Sequence, residues 1–118
     1  MAARVLVVDD EVDVADVIAE TLARVYGFDT LVAHSAEEAL ARLPEVDVVL
    51  MDVVMPGTNG VMARREMAAL RPDVPVVLMT GFKQHALTFE ALKEPVALAE
   101  KPIDYAHVAR LIGVMLGR

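Results

Sequence analysis

Residues 5–11 read Val5-Leu6-Val7-Val8-Asp9-Asp10-Glu11, an apolar run that breaks without a spacer into three acids. Val5, Val7 and Val8 are β-branched and favour extended backbone. A strand with one wet face would alternate apolar and polar residues. This run does not, so both of its faces are expected to be covered, as in a parallel sheet packed between helices.

The same punctuation recurs along the chain. Val46–Met51 leads into Asp52, Pro75–Met79 into Thr80-Gly81, and Val96–Ala99 stands just ahead of Lys101-Pro102, with Phe28–Ala33 as one further strand. Between the strands the period changes. Val14, Val17, Ile18, Leu22 and Val25 recur at three- and four-residue steps, and Gly27 stops the pattern. Ser35-Ala36-Glu37-Glu38 is a capping box, opening a helix whose stripe is Ala36, Ala39, Leu40 and Leu43. A third helix is expected from the Gly60 loop to about Leu70, a fourth over Phe82–Lys93, and a last one capped by Asp104 with the stripe Val108, Leu111, Ile112, Met115 and Leu116. Strict alternation predicts (βα)5, an open, doubly wound α/β sheet of five parallel strands with right-handed crossovers.

Composition agrees and narrows the function. The chain has 118 residues, 56% of them hydrophobic, a length that suits one domain. Cys is absent, which excludes a zinc ribbon or a disulfide framework. A formal charge of −7 disfavours nucleic acid or an anionic membrane as the direct partner and suits a divalent cation or a basic surface. No signal peptide or membrane-length apolar run is visible, and a cytoplasmic location is expected.

Doubly wound sheets bind ligands outside the carboxyl ends of their strands. Asp9, Asp10, Asp52, Thr80 and Lys101 all stand at such ends. Three carboxylates brought together repel one another, and a bound cation relieves the repulsion. Mg²⁺ suits them best, being a hard ion that takes oxygen ligands, with Mn²⁺ as an alternative. Lys101 and the Thr80 hydroxyl offer a point charge and a donor for phosphoryl oxygens. A carboxylate can itself attack phosphorus and become an aspartyl phosphate.

Val-Val-Asp-Asp-Glu at 7–11, Met-Asp-Val-Val-Met-Pro-Gly-Thr-Asn-Gly at 51–60, Met-Thr-Gly at 79–81 and Glu-Lys-Pro at 100–102 resemble, in order and spacing, a CheY-like response-regulator receiver domain of two-component signalling. The resemblance covers roughly residues 4–117 and implies a single receiver domain over 1–118, with the flavodoxin-like strand order 2-1-3-4-5. It implies that Asp52 is the phosphoacceptor. Asp9 and Asp10 then organise Mg²⁺, Asp10 more directly, together with Asp52 and the backbone carbonyl of Val54. Thr80 corresponds to the switch hydroxyl and Lys101 to the lysine that contacts the phosphoryl group, with Gly81, Val54 and Phe82 around it. Pro56 and Gly60 match the loop after the acceptor, and Pro102 implies a cis Lys101–Pro102 bond. The implied partners are a sensor histidine kinase or a histidine phosphotransfer protein, an unknown downstream protein, and optionally a second copy after phosphorylation. Such a protein is not an enzyme beyond its own phosphorylation and dephosphorylation. Helix one, through Asp13, Asp16, Glu20 and Arg24, corresponds to the usual kinase-docking surface. The chain is expected either to stand alone or to be a receiver from a longer protein, with no output domain after the last helix.

One departure stands out. The position three before Lys101, aromatic in the usual switch, is Leu98, so an aromatic rotation is not available. The apolar Val54 and Phe82 are expected to shield the phosphoryl group and slow its hydrolysis. Three other readings compete. A pseudo-receiver would act as an interaction module without phosphorylation. A haloacid-dehalogenase-type phosphatase needs Asp-x-Asp, whereas here the acids are adjacent. A flavin-binding protein needs a Ser/Thr/Gly-rich phosphate loop where Asp9-Asp10-Glu11 stands. His34, His85 and His107 are scattered and read as surface or helix-end residues, and Arg64, Arg65 and Arg71 as the solvated face of helix three.

Overall fold

The computed structural model describes residues 2–55, 58–81 and 97–117. In chain order these form β1 (Arg4–Val8), α1 (Val12–Tyr26), β2 (Asp29–Ala33), α2 (Ala36–Arg42), a 3-10 turn (Leu43–Glu45) and β3 (Val48–Asp52). Then come the two-residue strands β4 (Val54–Met55) and β5 (Thr58–Asn59), α3 (Gly60–Leu70), β6 (Val76–Thr80), β7 (Ala97–Glu100) and α4 (Tyr105–Met115). The fourth helix expected over Phe82–Lys93 lies outside the described residues, as do Pro56, Phe82 and His85. Among the described residues no helix is long and apolar enough to cross a membrane.

The main sheet has the order β2-β1-β3-β6-β7, and every pairing in it is parallel. Counted within this sheet the order is 2-1-3-4-5, the flavodoxin-like arrangement. β4 and β5 form a separate antiparallel bridge, Val54 opposite Asn59 and Met55 opposite Thr58, inside the stretch expected to be a plain loop.

The continuous apolar runs have their physical reason in two cores, one on each face of the sheet. Leu6, Val8, Val49, Met51 and Leu78 pack with Ala39 of α2 and with Ala63 and Met67 of α3. The alternate residues Val5, Val7, Val48, Leu50, Val77 and Met79 pack with Ala15, Ile18, Ala19 and Leu22 of α1 and with Val108 and Ile112 of α4. Successive strand residues point to opposite faces, so a strand covered on both sides must be apolar at every position.

The face of α1 differs from the expected stripe. Ala15, Ile18, Ala19 and Leu22 are buried, whereas Val17 is 57% and Val25 66% exposed. The buried set falls at steps of three and four, and its two alanines let the helix lie close to the sheet. The end of α1 is as read: Gly27 has φ 76°, and the N–H groups of Gly27 and Phe28 donate to the carbonyls of Ala23 and Leu22. This left-handed cap uses the Phe28 N–H, so β2 begins at Asp29 rather than Phe28. β3 likewise begins at Val48, because the Val46 N–H closes the 3-10 turn on Leu43. β6 starts one residue after Pro75, whose carbonyl still accepts from the Val49 N–H.

Arg71 is not part of the solvated face of helix three. It lies past the end of α3, grips both carboxylate oxygens of Asp73 at 3.0 and 2.9 Å, and donates to the Leu43 carbonyl at 3.2 Å. The hydrogen bond from Arg71 holds the Asp73 carboxyl below its ordinary value, and the same bond raises the guanidinium.

Candidate metal and phosphoryl site

The backbone ladders of the sheet run one residue past several strand ends and so set the site residues in place. The Asp9 N–H donates to the Ala33 carbonyl at 3.1 Å, carrying the β1–β2 ladder beyond Val8. Asp52 is itself the last residue of β3, opposite Met79, and the Val53 N–H continues the ladder onto the Met79 carbonyl. The Lys101 N–H donates to the Thr80 carbonyl at 2.9 Å, one step past β7. The Lys101–Pro102 peptide that follows is cis.

Three sequence-predicted acids therefore converge. Asp9, Asp10 and Asp52 each present a carboxylate oxygen, and these oxygens all lie within 4.8 Å of one another. Asp9 and Asp52 are buried and Asp10 is half-buried. The Lys101 ammonium sits between two of them, donating to Asp9 Oδ2 at 3.2 Å and to Asp52 Oδ2 at 3.0 Å. Partial burial lowers the Lys101 pKa, but the hydrogen bonds and charges of Asp52 and Asp9 outweigh it and leave the group above the ordinary lysine value. The other oxygen of Asp9 accepts from the Glu11 N–H at 3.0 Å, which fixes the start of α1.

Thr80 ends β6, the strand next to β3, and is fully buried. Its hydroxyl donates to the Gly81 carbonyl at 3.0 Å. Gly60 opens α3, and Val54 lies on the β4–β5 bridge two residues past Asp52. Leu98 is half-buried, opposite Leu78, and packs against the core shared with α2 and α3. His107 is exposed in the first turn of α4, its N–H donating to the capping carboxylate of Asp104 at 3.1 Å.

The donor set fits a hard divalent cation. It is built of carboxylate oxygens close enough to share one ion, which is what a hard divalent cation requires.

His34 is not the surface or helix-end residue that the sequence suggested. It is half-buried at the end of β2, with its ring Nδ1 3.1 Å from the Asp9 carbonyl oxygen. The register carried the signal: Val8 pairs with Ala33, so the residues after them must lie side by side.

A five-stranded parallel sheet of order 2-1-3-4-5 with three acids and a lysine gathered at its carboxyl edge is the arrangement expected of a CheY-like receiver domain. The response regulator receiver domain model matches residues 5–112, and this chain belongs to that family. It is 36% identical over 104 residues to the transcriptional regulatory protein ZraR of Salmonella typhimurium, an overlap covering 86% of this chain and 23% of that protein. With the transcriptional regulatory protein CpxR of Klebsiella pneumoniae it shares 38% identity over 79 residues, 66% of this chain and 33% of that one. The chain thus spans a quarter to a third of the length of these curated relatives. The crystal structure of a response regulator receiver domain protein from Clostridium thermocellum matches at TM-score 0.87 and 29% identity, covering 98% of this chain and 95% of that one.

Proposed function

We propose that this receiver domain accepts a phosphoryl group on Asp52 from a phosphohistidine of a partner histidine kinase or phosphotransfer protein. The observation that carries the reading is Lys101 bridging Asp9 and Asp52 at 3.2 and 3.0 Å within a buried group of three acids. A cluster so charged is stable only with cations close by, and it is built to receive them.

In the proposed reaction an Asp52 oxygen attacks phosphorus in line, the P–O bond forms, and the P–N bond to the donor imidazole breaks. The departing ring nitrogen keeps the electron pair of that bond. Asp10, Asp52 and Asp9 would hold Mg²⁺ or Mn²⁺ with the Val54 carbonyl, and the ion supplies charge neutralisation for the phosphoryl oxygens. Lys101 transfers its ammonium from the carboxylates to a phosphoryl oxygen, and Thr80 turns its hydroxyl from the Gly81 carbonyl toward another. The added group brings about −1.5 to −2 charges, enough to redirect both side chains.

We place the donor in a groove beside the site. This groove, of about 370 Å³, lies between α1 and the segment after β7, lined by Val14, Val17, Ile18, Lys101, Ile103 and Tyr105. The exposed acids Asp13 and Asp16 stand on the same helix. They favour a basic partner surface around the phosphohistidine. The relatives are transcriptional regulatory proteins. For this chain we infer that phosphorylation switches the surface made by the helix expected over Phe82–Lys93, β7 and the last helix, α4, and that the signal passes from there to a downstream protein or an attached segment. Leu98 favours a second reading, a phosphorylation-independent interaction module.

Intact-protein mass after incubation with acetyl phosphate or phosphoramidate separates the two. The expected result is a Mg²⁺-dependent gain of one phosphoryl group that Asp52→Ala abolishes. A folded wild type with no adduct and no thermal response to Mg²⁺ leaves the interaction module as the reading.

A further inference from the structure

We infer that His34 is a positioning residue for the acid pair: its ring holds the Asp9–Asp10 peptide in the orientation that brings the Asp10 carboxylate to Asp52. The inference rests on the metal-binding reading of that cluster and names a part of its support that lies on another strand.

Each polar atom of Asp9 is tied down. Its N–H donates to the Ala33 carbonyl, Oδ1 accepts from the Glu11 N–H, and Oδ2 accepts from Lys101. The remaining atom, the backbone carbonyl, faces His34 Nδ1 at 3.1 Å in a half-buried setting. A carbonyl oxygen can only accept, so Nδ1 carries the proton and donates. His34 is itself anchored. Its N–H donates to Glu38 Oε2 at 2.9 Å, while the Glu38 N–H donates to Ser35 Oγ at 3.1 Å. The capping box of α2 therefore reaches one residue further back than usual and grips the backbone of the histidine. The chain of bonds runs from the cap of α2 through His34 to the Asp9 carbonyl.

That carbonyl belongs to the peptide plane whose other end is the Asp10 nitrogen. Among the described residues the Asp10 carboxylate has no hydrogen-bond partner, so its own backbone sets its direction. A carboxylate that must meet a small octahedral ion needs that direction fixed. Groups that orient ligands in this way change metal affinity 10- to 100-fold when removed.

The test uses the whole chain and Mg²⁺ itself, with affinity read from backbone amide NMR shifts during titration. His34→Leu and His34→Ala remove the donor. His34→Asn keeps one, because the amide Nδ2 takes the place of the ring Nδ1. We expect wild type and His34→Asn to agree within about twofold, and the two donor-less variants to bind about tenfold more weakly. Metal-free melting midpoints, measured in parallel, separate positioning from stability: the affinity loss is expected in donor-less variants that remain fully folded at the titration temperature. Unchanged affinity in His34→Leu and His34→Ala overturns the inference, as does His34→Asn binding as weakly as they do. A folded wild type that shows no Mg²⁺ response fails the site reading itself, and this inference with it. A wild-type response that survives in His34→Leu fails only the role given to His34.

Discussion

Lys101 and Arg4 each hold two carboxylates, at opposite ends of the same sheet. Lys101 joins Asp9 and Asp52, whose side chains are 0% and 9% exposed. Arg4 pairs with Asp29 through Nε at 3.0 Å and donates its backbone N–H to Asp47 at 2.8 Å, but Asp29 is 51% exposed and the Arg4 side chain 42%. Each end sets a basic side chain against carboxylates, but the solvent around them differs. At the Arg4 end water solvates each charge, and the pair adds little. At the Lys101 end water is largely excluded, and each charge depends on its neighbours. A new ion arriving there must move something, which a signalling site requires. Parallel topology explains the asymmetry, because every β-to-α turn of the sheet opens at the Lys101 end.

The sharpest way to break this contrast is Lys101→Met. Removing one partner from a buried charge cluster costs about 3–5 kcal/mol, reduced here to about 2 kcal/mol because the ammonium keeps some contact with water. Urea unfolding at neutral pH without divalent ions should show that loss, and Mg²⁺ should stabilise the variant more than the wild type. A variant as stable as wild type would mean that the carboxylates need no cation, and the contrast would fail.

The alkaline limb gives a second, smaller effect. The Lys101 pKa is raised in the folded state, so the folded protein holds this proton more tightly than the unfolded chain. Its contribution to stability is complete below the unfolded lysine value of about 10.4 and disappears as pH rises through the higher folded value. The stability difference between wild type and Lys101→Met should therefore shrink above about pH 10.4 and stay level through the neutral range. A difference that already falls between pH 7 and 9 would place the coupling on another group.

The carboxyl edge was the more legible end. Val5–Val8, Val46–Met51 and Pro75–Met79 gave their strands to within two residues, because a strand covered on both faces leaves no other pattern. Asp9, Asp10, Asp52 and Lys101 were legible for the same reason: each stands within two residues of the end of an apolar run. Residues whose partners come from neighbouring strands or distant turns were not. His34 acquires its role only once β2 is known to lie beside β1, and Arg71 reaches across 28 positions to the Leu43 carbonyl. Val17 and Val25 misled because a helix stripe read as the largest apolar residues ignores alanine, and here Ala15 and Ala19 face the sheet.

The smallest effect belongs to the amino edge. A double-mutant cycle on Arg4→Ala and Asp29→Ala should give a coupling of about 0.5 kcal/mol, the ordinary value for an exposed pair. Raising the salt to about 1 M shortens the screening length to about 3 Å and should erase most of it. The Arg4 N–H keeps its bond to Asp47 in either variant, since that bond uses the backbone, so β1 should hold its register. Lys101 and its acids should respond less to the same salt, because buried charges are screened less. If the Arg4–Asp29 coupling instead exceeded about 2 kcal/mol and persisted in salt, exposure would not be what separates the two ends. The placement of the functional cluster would then need a cause other than the exclusion of water.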